Sequence, residues 1–188
     1  MLKEDQAKKL LELIKEQTIS YILKGEVLES FDFEDLKVEG LFINFKLRDK
    51  ALGTLGSIFP QENVTRVALD LALALTIRLK AKGVRIDPYN LSFEITEVLN
   101  MELISSKNPL NLLKKIEGYG VFVERGFYKG VILPNIAIER GLTPLDMLAE
   151  ACISAGLLAD FWTYEDTKIY RFKTITYGLS FEGNFYKI

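Results

Sequence analysis

Gly53-Thr54-Leu55-Gly56 places two glycines around a hydroxyl inside a stretch that alternates like a strand. Glycine in a strand lets a ligand or another backbone come close; its other uses are a bulge or tight packing on a helix. Thr54 could serve as a nucleophile only beside a base, and the chain has no histidine. Lys, Asp or Glu would have to take that part. The same absence removes Ser-His and Cys-His pairs and every His-containing zinc site. The single cysteine, Cys152, can form no intramolecular disulfide. It shares a helical face with Leu145, Leu148 and Ala149, where a free thiol packs as a small hydrophobe.

Five other features have chemistry to offer. Asp70 interrupts an apolar helix, and Arg66 four residues earlier suits a surface ion pair; the alternative is an acid inside a cleft. Glu94 and Glu97 resemble a pair of carboxylates, but odd spacing on a strand sends them to opposite faces. Arg78, Lys80, Lys82 and Arg85 form a loose basic group near Tyr89 that could touch phosphates, or end a solvated helix whose dipole favours cations. Gly120 belongs to Gly118-Tyr119-Gly120, read as a helix stop entering a strand, and Asn135 is placed to cap a short helix after Pro134.

Periodicity supplies the elements that must hold these residues. Ala7, Leu10, Leu11, Ile14, Thr18, Tyr21 and Ile22 predict an amphipathic helix. Lys24 to Glu39 reads as a connection anchored by Phe31, Phe33 and Leu36. Leu41, Ile43, Phe45 and Leu47 alternate with Phe42, Asn44, Lys46 and Arg48, which predicts a half-buried strand. Leu52 to Phe59 completes a hairpin and stops at Pro60. A helix capped by Asn63 runs to about Lys80, with apolar stripes on two sides. Leu91 to Leu99 is a strand, Asn108-Pro109 opens a short helix, and Tyr119–Glu124 with Tyr128–Leu133 form a second hairpin. Thr143-Pro144-Leu145-Asp146 starts a helix that Gly156 stops. Asp146 is shorter than the glutamate of a capping box, which puts the reciprocal bond in question and keeps the dipole benefit. Ile169 to Tyr177 is a last strand, and Phe181, Phe185 and Tyr186 need cover from this chain or a second copy.

Adjacent hairpins predict an α+β fold with an antiparallel or mixed sheet and packed helices, one domain over 1–188 with room for two lobes. Hydrophobic residues are 48% and charged residues 27% of the chain, the balance of a packed core. A formal charge of −2 gives no overall pull toward phosphate, so nucleic acid is not the expected partner. The charged first residues lack an apolar signal core, and Ala68 to Ile77 is too short to span a membrane. A cytoplasmic protein with no cofactor is expected.

In order and spacing, several short stretches resemble the AMMECR family. They are Gly40-Leu41-Phe42-Ile43, Gly53-Thr54-Leu55-Gly56, Phe93 to Leu99, Gly118-Tyr119-Gly120-Val121, Val131 to Ala137 and Cys152-Ile153-Ser154-Ala155-Gly156-Leu157, then Trp162 and Arg171-Phe172. The resemblance implies an α+β architecture with a larger and a smaller lobe. It also implies a molecular activity poorly defined across archaea, bacteria and eukaryotes, and genes often found near those of Memo-like and radical-SAM proteins. The family hexapeptide Leu-Arg-Gly-Cys-Ile-Gly corresponds to Ala51-Leu52-Gly53-Thr54-Leu55-Gly56, which keeps both glycines and replaces the arginine by Leu52 and the cysteine by Thr54. Of the family's Asp-Pro-Arg-Phe stretch only Asp87-Pro88 is recognisable, and a family lysine is Ser154.

The leading expectation is a binding or accessory protein. It would present an inter-lobe cleft, with Gly53, Thr54, Leu55, Gly56, Asp70, Gly120 and Asn135 as ligand-binding candidates, to a small molecule or to a radical-SAM or Memo-like partner. An enzyme built on carboxylates such as Asp70 or Glu94 stays open, as does a weak nucleic-acid binder using Arg78 to Arg85. The C-terminal aromatics are candidates for a homo-oligomer contact.

Overall fold

The computed structural model describes residues 1–28, 37–48, 50–60, 63–105 and 108–188. Helix α1 covers Glu4–Lys24, and β1 (Gly40–Leu47) with β2 (Lys50–Ile58) forms the first hairpin. Helix α2 (Val64–Ala81), strand β3 (Leu91–Leu103) and α3 (Pro109–Ile116) follow. Next come β4 (Gly120–Arg125), β5 (Tyr128–Ile132), α4 (Pro134–Arg140), α5 (Pro144–Ser154), β6 (Lys168–Leu179) and β7 (Phe185–Lys187). The fold is α+β with antiparallel strands, and among the described residues no helix is long and apolar enough to cross a membrane. The chain divides into two compact units, residues 1–99 with 175–188, and residues 100–174.

In unit 1 the strand order is β2-β1-β3-β6, with β7 added to β6. Leu41, Ile43 and Phe45 of β1 and Leu91, Phe93 and Ile95 of β3 project to one face. There they meet Leu10, Leu11 and Ile14 of α1 and Ala68, Leu75 and Leu79 of α2 in one cluster. Phe45 and Phe93 meet edge-on, 5.1 Å between centroids. The two apolar stripes expected on α2 are only partly used. Leu69 is buried, but Ile77 is 46% exposed, because only one side of the helix faces the sheet. Asn63 caps α2 by accepting from the Thr65 N–H at 2.8 Å. The connection containing Phe31, Phe33 and Leu36 lies outside the described residues, as does Asp49 of the hairpin turn.

Unit 2 pairs β4 with β5 and with β6. Its core gathers Leu112 and Ile116 of α3, Val121 and Val123 of β4, and Leu148, Ala151 and Cys152 of α5. Arg171 on β6 ties this unit together. It donates to Glu102 at 2.6 and 2.8 Å and to the Lys115 carbonyl at 2.9 Å, near the end of α3, where a cation suits the helix dipole.

Three local expectations change. Asn135 is not a cap: α4 begins at Pro134 behind Leu133, with no side-chain cap, and Asn135 is already helical. The proline alone supplies the helical φ at this start. The tail adds a strand, β7, that periodicity over three residues could not reveal. The reciprocal bond of the α5 capping box does form, since the Thr143 N–H donates to Asp146 Oδ2 at 2.9 Å and the Thr143 hydroxyl adds a 2.6 Å bond.

Those two bonds hold the Asp146 carboxyl below its ordinary value, the hydroxyl contributing most. A group whose pKa is depressed by folding stabilises the fold above its unfolded pKa and loses that contribution as pH falls through the folded value. Asp146→Asn is therefore expected to flatten the dependence of stability on pH below about pH 4, measured by urea titration at several acid pH values. An unchanged slope would mean that Asp146 binds protons equally in both states.

Candidate functional site

The face of the unit 1 sheet opposite its helices is polar. Asn44 and Lys46 of β1, Thr54 of β2, Ser92, Glu94 and Thr96 of β3, Thr176 of β6 and Tyr186 of β7 contribute to it. It follows from alternation: the even positions of β1 and β3 lie between the odd positions that fill the core. Glu94 is its centre and only 4% exposed. Lys46 Nζ donates to Glu94 Oε1 at 2.6 Å, Tyr186 Oη donates to the same oxygen at 2.7 Å, and Asn44 Nδ2 donates to Oε2 at 2.8 Å. The Thr54 hydroxyl completes the chain by donating to Asn44 Oδ1 at 3.2 Å. The Thr96 and Thr176 hydroxyls bond each other at 2.8 Å beside it.

Glycines make this arrangement sterically possible. Tyr186 lies across Gly178, where an added Cβ would stand 2.1 Å from the ring. Only glycine there lets the phenol cross β6 and reach Glu94. Gly56 does the same for Phe42, whose ring would sit 1.9 Å from a Cβ. Gly53 points the other way: its missing Cβ would meet Leu75 at 3.2 Å, so it seats β2 against α2.

The network positions rather than reacts. Glu94 already accepts from three donors, one of them a cation, in a site where such bonds are strong. Thr54 reaches the carboxylate only through the Asn44 amide, which cannot relay a proton at ordinary pH. Glu94 therefore does not activate Thr54 as a base would. Glu97 is on the opposite face and 1% exposed, where it accepts from the Leu2 N–H at 2.9 Å. The two carboxylates are thus separated by the sheet, as their spacing predicts.

The sequence candidates fall into two groups. Gly53, Thr54, Leu55 and Gly56 all lie on β2 in unit 1; Gly56 is exposed, the other three are half-buried, and Thr54 alone joins the polar network. Asp70, also in unit 1, is on the outer surface of α2 in a 3.1 Å ion pair with Arg66, both side chains more than half exposed. Gly120 and Asn135 belong to unit 2. Gly120 accommodates Phe172, whose ring would sit 2.3 Å from a Cβ. Cys152 is fully buried, and burial pushes its thiol above the ordinary range, which leaves it protonated and unreactive. Lys80 stacks on Tyr21 at 5.3 Å, while Asp87 is held below its ordinary carboxyl range chiefly by the bonds it accepts from Asn90 and the Tyr89 N–H, the charges of Arg48 and Arg85 adding least. Among the described residues no three Cys, Asp or Glu side chains gather to hold a metal ion.

Sequence reasoning missed Asn44, Lys46 and Tyr186 as members of the site. The alternation of β1 placed the first two on the right face, but nothing local linked Tyr186 to Glu94, 92 residues away. Two grooves lie elsewhere. One of about 530 Å³ runs along Glu12, Lys15 and Ile19 of α1, and one of about 500 Å³ in unit 2 borders Arg125 and Phe161. Size does not make the α1 groove the better site, since its charged side chains come from one helix face and none is drawn into a buried bond.

Comparison with known proteins adds a family. A family model described as AMMECR1 matches residues 6–177. Protein MJ0810 of Methanocaldococcus jannaschii is 39% identical over 82 residues, 43% of this chain and 41% of that protein. Protein NEQ441 of Nanoarchaeum equitans is 35% identical over 45% of this chain and 48% of its own length, so these matches span less than half of either relative. Protein MK0488 of Methanopyrus kandleri is 25% identical over 87% of this chain and 84% of its own length. The crystal structure of protein PH0010 from Pyrococcus horikoshii aligns with a TM-score of 0.82, covering 100% of this chain and 98% of that one at 24% identity, a likeness of fold.

Proposed function

We propose, on the premise that the chain belongs to the AMMECR1 family, that it acts as a binding or accessory protein whose recognition surface is the β2 side of the polar network in unit 1. The observation that carries this reading is the Thr54 hydroxyl. It stands on a half-buried strand with its proton committed to Asn44, and its lone pairs remain to accept from a ligand. A side chain fixed in this way loses little further freedom on binding, which favours affinity. The carboxylate behind it already accepts from three donors, one of them a cation, which supports binding over acid-base catalysis. A radical-SAM or Memo-like protein is the partner that the family resemblance suggests.

Thr54→Val tests the reading, because it keeps the volume and removes the hydroxyl. It is expected to change folding stability by less than about 1.5 kcal/mol, since one partly buried hydrogen bond is lost. Retention of a co-expressed Memo-like or radical-SAM protein on the tagged chain should nevertheless fall at least about tenfold, the loss of a well-placed hydrogen bond in a desolvated contact. Equal retention by wild type, Thr54→Val and the bulkier Thr54→Arg would remove this surface from any binding role.

A further inference from the structure

Strand β2 is the end of the unit 1 sheet. It pairs with β1, and among the described residues no strand takes its other side. The direction of its backbone groups follows from two flanking bonds. Phe59 N–H donates to the Glu39 carbonyl at 2.8 Å, and Arg48 N–H donates to the Asn90 carbonyl at 3.0 Å. With the register Ile43↔Leu55 and Leu41↔Ser57, this parity turns Leu55 and Ser57 toward β1. Thr54, Gly56 and Ile58 therefore point their N–H and C=O groups away from β1. Apart from its pairing with β1, no backbone bond is recorded from these residues among those described.

Edge strands are usually blunted by charge, proline or a covering element. Within β2 the one charged residue is Lys50, at its start, and the central positions are glycine, threonine and leucine. Among the described residues nothing bonds to the outward backbone groups of its last five residues. Its Lys50 end lies beside the C-terminal part of α2, because Gly53 packs against Leu75 and Leu79. Exposed Lys50, Arg78 and Lys82 therefore flank that end, and among the described residues none of them joins an ion pair.

We infer that β2 receives an extended segment of a partner protein by strand addition, pairing with Thr54, Gly56 and Ile58 and placing acidic side chains against Lys50, Arg78 and Lys82. Main-chain pairing supplies the affinity and the cations set the orientation. The inference rests on the binding role given above to this surface, and specifies its ligand as polypeptide.

A phage library of random dodecapeptides, panned against the full chain, is the test. Peptides with a β-branched run and Asp or Glu at one end should be enriched. Synthetic copies should slow amide exchange at Thr54, Gly56 and Ile58 and leave Leu55 and Ser57 unchanged, since those two are already bonded to β1. Ile58→Pro removes one outward N–H without touching the pairing to β1 and should weaken peptide binding about tenfold. The exchange pattern is read on the wild-type chain, so it stands even if the proline variant folds poorly. No enrichment, or protection without the alternating pattern, overturns the inference. So does binding of a single-stranded oligonucleotide that displaces the peptide, or a wild-type dimer in sedimentation that Ile58→Pro dissolves. If Thr54→Val loses the protein partner while Ile58→Pro keeps it, the hydroxyl surface stands and strand addition falls; the reverse pattern keeps the strand edge and removes the hydroxyl.

Discussion

Gly130→Val should destabilise unit 2 by about 3 kcal/mol or more, enough to leave a large fraction unfolded if its margin is ordinary. Gly130 sits on β5 directly beneath α5. A Cβ there would stand 1.9 Å from the Ala151 carbonyl oxygen, 2.5 Å from Ser154 Oγ and 2.7 Å from the Ala155 N–H nitrogen. Two of these three atoms are backbone, so no rotamer change relieves the contact. The helix must lift from the strand, which opens the cluster around Leu148, Ala151 and Cys152. Trp162, the one tryptophan, packs against this cluster and reports the transition by fluorescence in urea. Gly118→Ala is the control. Gly118 has φ +78 and open space around its missing Cβ, so its cost is conformational strain of about 1 kcal/mol. Equal midpoint shifts for Gly130→Ala and Gly118→Ala would show that close approach of α5 is not what selects glycine at 130.

Removing the centre of the polar network is the second large effect. Glu94→Leu is expected to cost about 2–4 kcal/mol, because Lys46, Asn44 and Tyr186 lose their common acceptor while remaining partly enclosed. The figure sits below that of a fully buried pair because the Lys46 side chain is 27% exposed and regains water. Much of the loss is the penalty of orphaned donors rather than the worth of the bonds, so Lys46→Met in the same chain should restore part of it. The damage should begin at β7. Tyr186 is the side chain that pins this short strand to β3, and amide exchange at Gly178 and Ile188 should accelerate before exchange in α1 or α2. Strict additivity of Glu94→Leu and Lys46→Met would mean that the pair is not coupled.

Whether a side chain faced the core was legible wherever a local period reports it. Alternation in β1 and β3 separated Phe45 and Phe93 from Asn44 and Glu94, and it put Glu94 and Glu97 on opposite faces. The pairing of Arg66 with Asp70 and the Thr143 cap were also legible, since partners within a turn are set by helix geometry. The missing histidines excluded whole classes of catalyst without any structure.

Contacts across long sequence separations were not legible, because periodicity says which way a side chain points and not what it meets. The reciprocal bond of Asp146 depended on the relaxed geometry of one helix start. Tyr186 reaches Glu94 only because β7 returns beside β6 over Gly178. Gly53 and Gly56 look alike in the sequence, yet one seats an α2 leucine and the other a β1 phenylalanine, since successive faces of β2 meet different neighbours. The sequence by itself determined the longer elements, the core-facing side of β1 and β3 and the excluded chemistry, all consequences of local stereochemistry. Only the tertiary structure decided that Thr54, Asn44, Lys46, Glu94 and Tyr186 form one bonded set and that β2 ends its sheet, because strand order and register are settled by packing the whole unit at once.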